Sequence, residues 1–278
     1  MAEKIKGDLI IIGGAEDKEG DKEILKKVCN SINKEKDIIL IATIATEYPK
    51  EALEKYTKIF RGLGVSNIKA LNIEEREDSL NLKNIEQIKE ASLIFFTGGD
   101  QLRITSLIGG TSVYDALKEA IQNGCIIVGT SAGASVMSDT MVVNGEDDES
   151  PRKCTLKMAP GLGLIEGVMI DQHFAQRGRI GRLLTGIAQN PEVLGIGIDE
   201  DTALIVRDNG DAQVIGSGAV YFLDARNSTY SNVSEQNYDE VLSMFNVNLH
   251  VLKEGDKYNL LIKKPFEEDN YNDESNGD

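Results

Sequence analysis

The sequence predicts an α/β fold: a doubly wound, mostly parallel sheet with helices on both faces, followed by a C-terminal antiparallel β extension. Three observations carry this. Short apolar runs at Leu9–Ile12, 38–44, Leu93–Phe96 and 126–128 are bounded by glycine or charge, the pattern of strands buried on both faces. Helical patterns separate them, and strand alternating with helix builds a parallel sheet. After about Val193 the runs lie closer together with short turns between them, which reads as antiparallel pairing.

In chain order, Leu53, Tyr56, Ile59, Phe60 and Leu63 form one apolar helical stripe, and Gly64 follows as a C-terminal cap. A second helix fits 114–122 and ends near Gly124. The strand that begins at Cys125 leads into the small residues Ala132–Ser135, which open a third helix. Runs 168–170 and 193–198 are further strands. Beyond them, 203–206, 213–215, 220–223, 249–252 and 258–262 read as the extension. Asp208-Asn209-Gly210-Asp211 marks a hairpin, because Asn-Gly tolerates positive φ. No internal repeat and no Pro-rich linker interrupts the chain, so residues 1–265 read as a single hydrolytic domain. The tail 266–278 carries six acids and no base, has almost nothing to bury, and reads as disordered.

The 278 residues are 41% hydrophobic and 27% charged, with a formal net charge of -16. That charge repels nucleic acid and anionic membrane, so neither is an expected partner. No run approaches a membrane span, and Leu9–Ile12 is too brief for the core of a signal peptide. The cytoplasm is the expected location. Cys29, Cys125 and Cys154 have no metal-ligand spacing, and an odd count argues against a disulfide framework; Cys125 reads as a core residue.

Gly129-Thr130-Ser131-Ala132-Gly133 follows a buried strand and opens a helix. This is the arrangement of a nucleophile elbow, in which a sharp turn lifts the Ser131 hydroxyl out of the sheet. The Ala132 amide can then point at a developing oxyanion. Gly98-Gly99 ends the strand Leu93–Phe96 at the same edge and offers a second donor, Gly99. A serine nucleophile needs a base. There are two histidines: His250 sits within an alternating strand, whereas His173 stands at a strand end in Asp171-Gln172-His173-Phe174. His173 is the expected base. Asp199 and Glu200 both follow the strand 193–198, and position alone leaves the third member open between them. The chain order Ser, His, acid differs from the α/β-hydrolase order Ser, acid, His.

Arg177, Arg179 and Arg182 form a basic group in an acidic protein. They read either as forks for a substrate carboxylate or as a solvated helix face. Glu146, Asp147, Asp148 and Glu149 read as a solvated loop, or as acids that meet a substrate guanidinium.

Six stretches together resemble the cyanophycinases, in the serine-peptidase family that also holds aspartyl dipeptidase. They are residues 12–18, 97–101, 129–135 and 159–163, Asp171-Gln172-His173-Phe174 with the three arginines, and 195–200. Asp100 departs from the more usual Asn. The resemblance implies a class I glutamine amidotransferase-like fold and a catalytic set of Ser131, His173 and Glu200. It also implies a pocket lined by Gln101, Asp171, Gln172, Arg177, Arg179 and Arg182. The implied activity is hydrolysis of the aspartate backbone of cyanophycin, with release of β-Asp-Arg. No cofactor or metal is expected, and a homodimer is. An aspartyl dipeptidase, or a non-catalytic amidotransferase-like module, is the alternative.

Overall fold

The computed structural model describes residues 5, 7–147, 149–152, 156–235 and 240–266. The first half runs β1 (Leu9–Ile12), α1 (Glu23–Asn30), β2 (Ile38–Ala42), α2 (Pro49–Gly62), β3 (Asn67–Leu71), α3 (Leu82–Glu90), β4 (Leu93–Phe96), α4 (Gln101–Ile108), α5 (Ser112–Gln122), β5 (Ile126–Thr130) and α6 (Ala132–Ser135). Strands β1 to β5 are all parallel, in the spatial order β1-β5-β4-β2-β3.

Period-two geometry explains the continuous apolar runs, because each face of the sheet is covered by helices. Leu9 and Ile11 join the core that includes α5, while Ile10 and Ile12 join the core that includes α1 and α2. On the second face Tyr56 and Phe60 of α2 pack their rings against Phe95 of β4, at centroid distances of 4.7 and 5.3 Å. The two faces are thus wound by helices as expected.

The second half runs β6 (Thr140–Asn144), β7 (Lys157–Pro160), β8 (Val168–Gln172), α7 (Ile180–Gln189), β9 (Leu194–Ile198), β10 (Thr202–Val206), β11 (Asp211–Gly216), β12 (Val220–Asp224), β13 (Tyr230–Ser231), β14 (Met244–Phe245), β15 (Asn248–Leu252), β16 (Lys257–Asn259) and β17 (Lys264–Pro265). The antiparallel strands do not form one extension. β10, β11, β16 and β17 continue the main sheet from β1 and bring it to nine strands. β12 and β15 instead join the parallel pair β8–β9 in a second, four-stranded sheet. Apolar alternation identifies a strand but not the sheet it joins. The two sheets meet where Phe222 of β12 stacks on Tyr258 of β16, with centroids 3.9 Å apart.

The expected hairpin turn joins β10 to β11, with Gly210 at φ 89°. The strand expected over 258–262 stops at Asn259. The Asn259 side-chain oxygen accepts the amides of Leu261 and Ile262, which turns the chain. His250 lies on β15 opposite Phe222, with its ring 5.9 Å from that of Tyr258. Cys29 and Cys125 are buried and free, and burial raises their thiols to about 11 and about 12, so neither is a ready nucleophile. Cys154 and the tail from Glu267 onward lie outside the described residues.

Candidate active site

The carboxyl ends of β1, β4 and β5 lie side by side in the parallel sheet. Gly13-Gly14, Gly98-Gly99 and Ser131 therefore gather at one edge. Ser131 leaves β5 at φ 53° and ψ -113°, a conformation costly for a residue with a Cβ. The surroundings hold it there. Its N–H donates to Ile12 O at 3.0 Å, and its carbonyl accepts the amides of Ala134 at 2.9 Å and Ser135 at 3.0 Å. The flanking glycines are steric requirements. A Cβ on Gly129 would stand 2.1 Å from Gly133 O, and one on Gly133 would stand 2.4 Å from Phe96 O.

His173 comes from the second sheet, one residue past β8, and it too has positive φ, at 49°. Its N–H donates to Gly13 O at 2.8 Å. Its Nε2 is 3.0 Å from Ser131 Oγ, and its Nδ1 is 2.6 Å from Glu200 Oε1. A carboxylate only accepts, so the ring proton sits on Nδ1 and Nε2 is free to accept from the serine. Gly14 permits this approach, because a Cβ there would lie 2.5 Å from the His173 ring.

The choice between Asp199 and Glu200, open on position alone, has a geometric answer. Asp199 is buried, with Oδ1 accepting the Ala175 amide at 2.9 Å and Oδ2 the Ala219 amide at 3.1 Å. It ties loops together, and Glu200 faces the imidazole.

The His173 ring titrates below its ordinary value. Burial is the main cause, and the charges of Arg177 and Arg179 add to it, against the hydrogen bond that the ring donates to Glu200 and the Glu200 charge. A base with a lowered value stays neutral to lower pH. The acid limb of kcat/KM is therefore expected below the usual histidine range. Arg177→Gln removes one of the depressing charges, so the limb moves to higher pH. A pH–rate profile checks this, and a limb that stays or falls contradicts it.

The other residues expected at the pocket divide. Arg177 is exposed beside the base. Arg179 and Arg182 do not present free forks. They are 5% and 6% exposed and engaged with the chain's own groups. Arg182 donates through Nε to Asp171 Oδ2 at 2.6 Å, through Nη2 to Asp171 Oδ1, and through Nη1 to Asp147 Oδ1 at 3.1 Å. Arg179 donates through Nε to Asp147 Oδ1 at 2.9 Å, and through Nη1 to Gln172 O at 2.6 Å and Gln172 Oε1 at 3.1 Å. A guanidinium this deep needs such partners. Asp171, 1% exposed, is thus a buried counter-ion rather than a pocket wall. The guanidinium groups met by the acidic loop through Asp147 are internal ones; Asp148 lies outside the described residues.

Gln101 is buried, and its amide donates to Val142 O at 2.9 Å and Val143 O at 3.1 Å. Gln172 remains at the centre, with Oε1 3.5 Å from Ser131 Oγ. Gly98 lies against the serine, since a Cβ there would stand 3.3 Å from Ser131 Cβ, whereas a Cβ on Gly99 would stand 2.2 Å from Ala45 O. No group of three or more potential metal ligands occurs among the described residues. Sequence reading assigned no role to Glu16, a buried carboxylate bonded to Thr130 Oγ1 at 2.6 Å, directly before the serine. Its one signal was membership of the glycine-rich stretch after β1.

Known proteins resemble this chain over most of its length. Residues 9–215 match the model of peptidase family S51. A cyanophycinase of Geminocystis herdmanii is 36% identical over 267 residues, covering 96% of this chain and 98% of that one. A cyanophycinase of Trichormus variabilis is 37% identical, covering 92% and 86%. A peptidase E of a Nostoc species is more distant, at 23% over 72% of this chain and 80% of that one. Among solved structures, a peptidase from an acI-B1 actinobacterium superposes with a TM-score of 0.65 at 23% identity, over 92% of this chain and 98% of that chain. That likeness speaks for the fold alone, the class I glutamine amidotransferase-like arrangement that the family resemblance implies.

Proposed function

Since the chain belongs to peptidase family S51, we propose that it acts as a cyanophycinase, a serine-type exopeptidase that hydrolyses the aspartate backbone of cyanophycin and releases β-Asp-Arg dipeptides. The observation that carries this is the line from Ser131 Oγ through His173 to Glu200, with contacts of 3.0 and 2.6 Å. The substrate comes from the relatives named cyanophycinase, at 36% and 37% identity over most of the chain.

In this reading Ser131 Oγ attacks the carbonyl carbon of the backbone peptide bond, and its proton passes to His173 Nε2. The carbonyl oxygen takes the negative charge and accepts from the amides of Gly99 and Ala132. Glu200 holds the imidazolium. As the C–N bond breaks, His173 returns the proton to the leaving amine. A water then gives a proton to His173 and attacks the acyl carbon; as the bond to Ser131 Oγ breaks, His173 returns that proton to Oγ, and the carboxylate product leaves.

The charge layout agrees with such a substrate. Each repeating unit carries a guanidinium and a carboxylate. Arg177 is the exposed cation beside the base. An open groove of about 750 Å³ is lined by Ala45 and Asp100, next to Gly99, and by Glu47, Ala159 and Pro160. Arg103 also borders it, but donates to Ile44 O at 2.9 Å and Glu74 O at 3.2 Å. The acids Glu47 and Asp100 thus face the groove. The same reading carries the homodimer that the resemblance implies and the cytoplasmic location expected from the sequence, and sedimentation of the purified protein tests the first.

Turnover of insoluble cyanophycin compared with Asp-X dipeptides tests the substrate. Cyanophycin is expected to be the better substrate by kcat/KM. Faster cleavage of dipeptides than of polymer makes the protein an aspartyl dipeptidase instead.

A further inference from the structure

The stretch 12–17 is more than the exit from β1. Three successive carbonyls in it hold the three parts of the site. Ile12 O accepts Ser131 N at 3.0 Å, Gly13 O accepts His173 N at 2.8 Å, and Gly14 O accepts the amide of Asp201, next to Glu200, at 2.9 Å. Asp17 N donates to Asp201 Oδ1 at 2.8 Å. Nucleophile, base and acid come from two different sheets and are far apart in sequence. This single strap fixes their mutual positions. It is itself strained, with Ala15 at φ 47°, so something must hold it.

The anchor is Glu16, which is 2% exposed. Its Oε1 accepts from Tyr56 OH at 2.5 Å and pairs with Lys18 Nζ at 2.9 Å. Its Oε2 accepts from Thr130 Oγ1 at 2.6 Å. Burial, with the Glu16 carboxylate beside it, pushes the Tyr56 phenol far above its ordinary range, so Tyr56 remains a donor to Glu16. Both oxygens are thus engaged, one toward α2 and one toward the residue before the nucleophile.

We propose that Glu16 is a positioning residue for hydrolysis. Through Thr130 it locks the strap 12–17 to the nucleophile turn, and so sets the Ser131–His173 distance. It touches neither substrate nor the reacting atoms. The inference rests on Ser131 being the nucleophile.

The test compares Glu16→Gln, Thr130→Val, Thr130→Ser and Ser131→Ala on a soluble β-Asp-Arg oligomer. Active sites are titrated with a fluorophosphonate, so that kcat refers to folded, reactive enzyme and loss of stability does not enter it. Glu16→Gln puts an amide donor against one of two hydroxyl donors, and Thr130→Val removes one hydroxyl at nearly constant shape. Both are expected to lower kcat per titrated site by about tenfold or more with KM little changed, because small misplacements of reacting groups cost rate steeply. Thr130→Ser keeps the hydroxyl and retains wild-type kcat. The double variant Glu16→Gln/Thr130→Val is no slower than the slower single, since both break one contact. Wild-type kcat per site in Glu16→Gln and Thr130→Val, or a loss that Thr130→Ser shares, overturns the proposal. If Glu16→Gln does not fold, Thr130→Val against Thr130→Ser decides. An inactive Ser131→Ala beside fully active Glu16 and Thr130 variants removes this inference alone. An active Ser131→Ala removes the nucleophile reading and this inference with it.

Discussion

Ser131→Ala will lower kcat on cyanophycin by roughly ten-thousandfold or more, the scale seen when a serine nucleophile is deleted from a working catalytic set. The geometry leaves little to replace it. Ser131 Oγ is the hydroxyl in contact with His173 Nε2, at 3.0 Å, and Cys29 and Cys125 are both buried with raised thiols. Stability should change little. Alanine keeps the Cβ and the backbone hydrogen bonds at Ile12, Ala134 and Ser135 that hold the turn. His173→Ala should match the loss, and the double variant should be no slower than either single, because the two act as one unit. Initial rates of dipeptide release, with thermal melts beside them, check this. Full activity in folded Ser131→Ala sinks the mechanism.

Arg182→Ala will destabilise the fold by about 3–5 kcal/mol, the cost of stranding one member of a buried ion pair. The stranded group is Asp171, 1% exposed, with both oxygens bound to Arg182. Arg179 Nη1 is 3.6 Å from Asp171 Oδ1 and compensates only in part. Asp147 also loses a bond, but its side chain is 40% exposed, so that loss costs little. The pair matters beyond stability, because Asp171 sits two residues before the base. Urea unfolding measures the change. The double replacement Asp171→Leu/Arg182→Leu should recover much of it, since a matched apolar pair strands neither member and Arg179 keeps its bond to Asp147 at 2.9 Å. A loss below about 1 kcal/mol in Arg182→Ala, the size of an ordinary substitution, contradicts a buried, mutually dependent pair.

These two cases mark what the sequence can and cannot convey. The strand runs, the turn at Ser131 and the scarcity of histidine are local features, and local features are legible. The runs at Leu9–Ile12 and Leu93–Phe96 coincide with β1 and β4 because both faces of those strands are buried. The edge strand β3 (Asn67–Leu71) went unforeseen, since only Leu71 in it is fully buried and its pattern is mixed. The arginines were visible as charge, but their burial depends on Asp171 and on Asp147, 32 and 35 residues from them. Asp199 and Glu200 are adjacent in sequence and differ only in which loop each meets. Position could not separate them, and family resemblance pointed to Glu200. The strap 12–17 was legible as a motif but not as a device, since Asp17 meets its partner Asp201 184 residues away. Assignment of strands to two sheets is likewise set by long-range packing, such as Phe222 on Tyr258.

The most direct measurement is mass spectrometry of the soluble products that the purified protein releases from cyanophycin. β-Asp-Arg dipeptide from the wild-type protein, and none from Ser131→Ala, is the predicted result. No dipeptide, or free arginine in its place, would mean that the Ser131–His173–Glu200 site does not cleave the aspartate backbone.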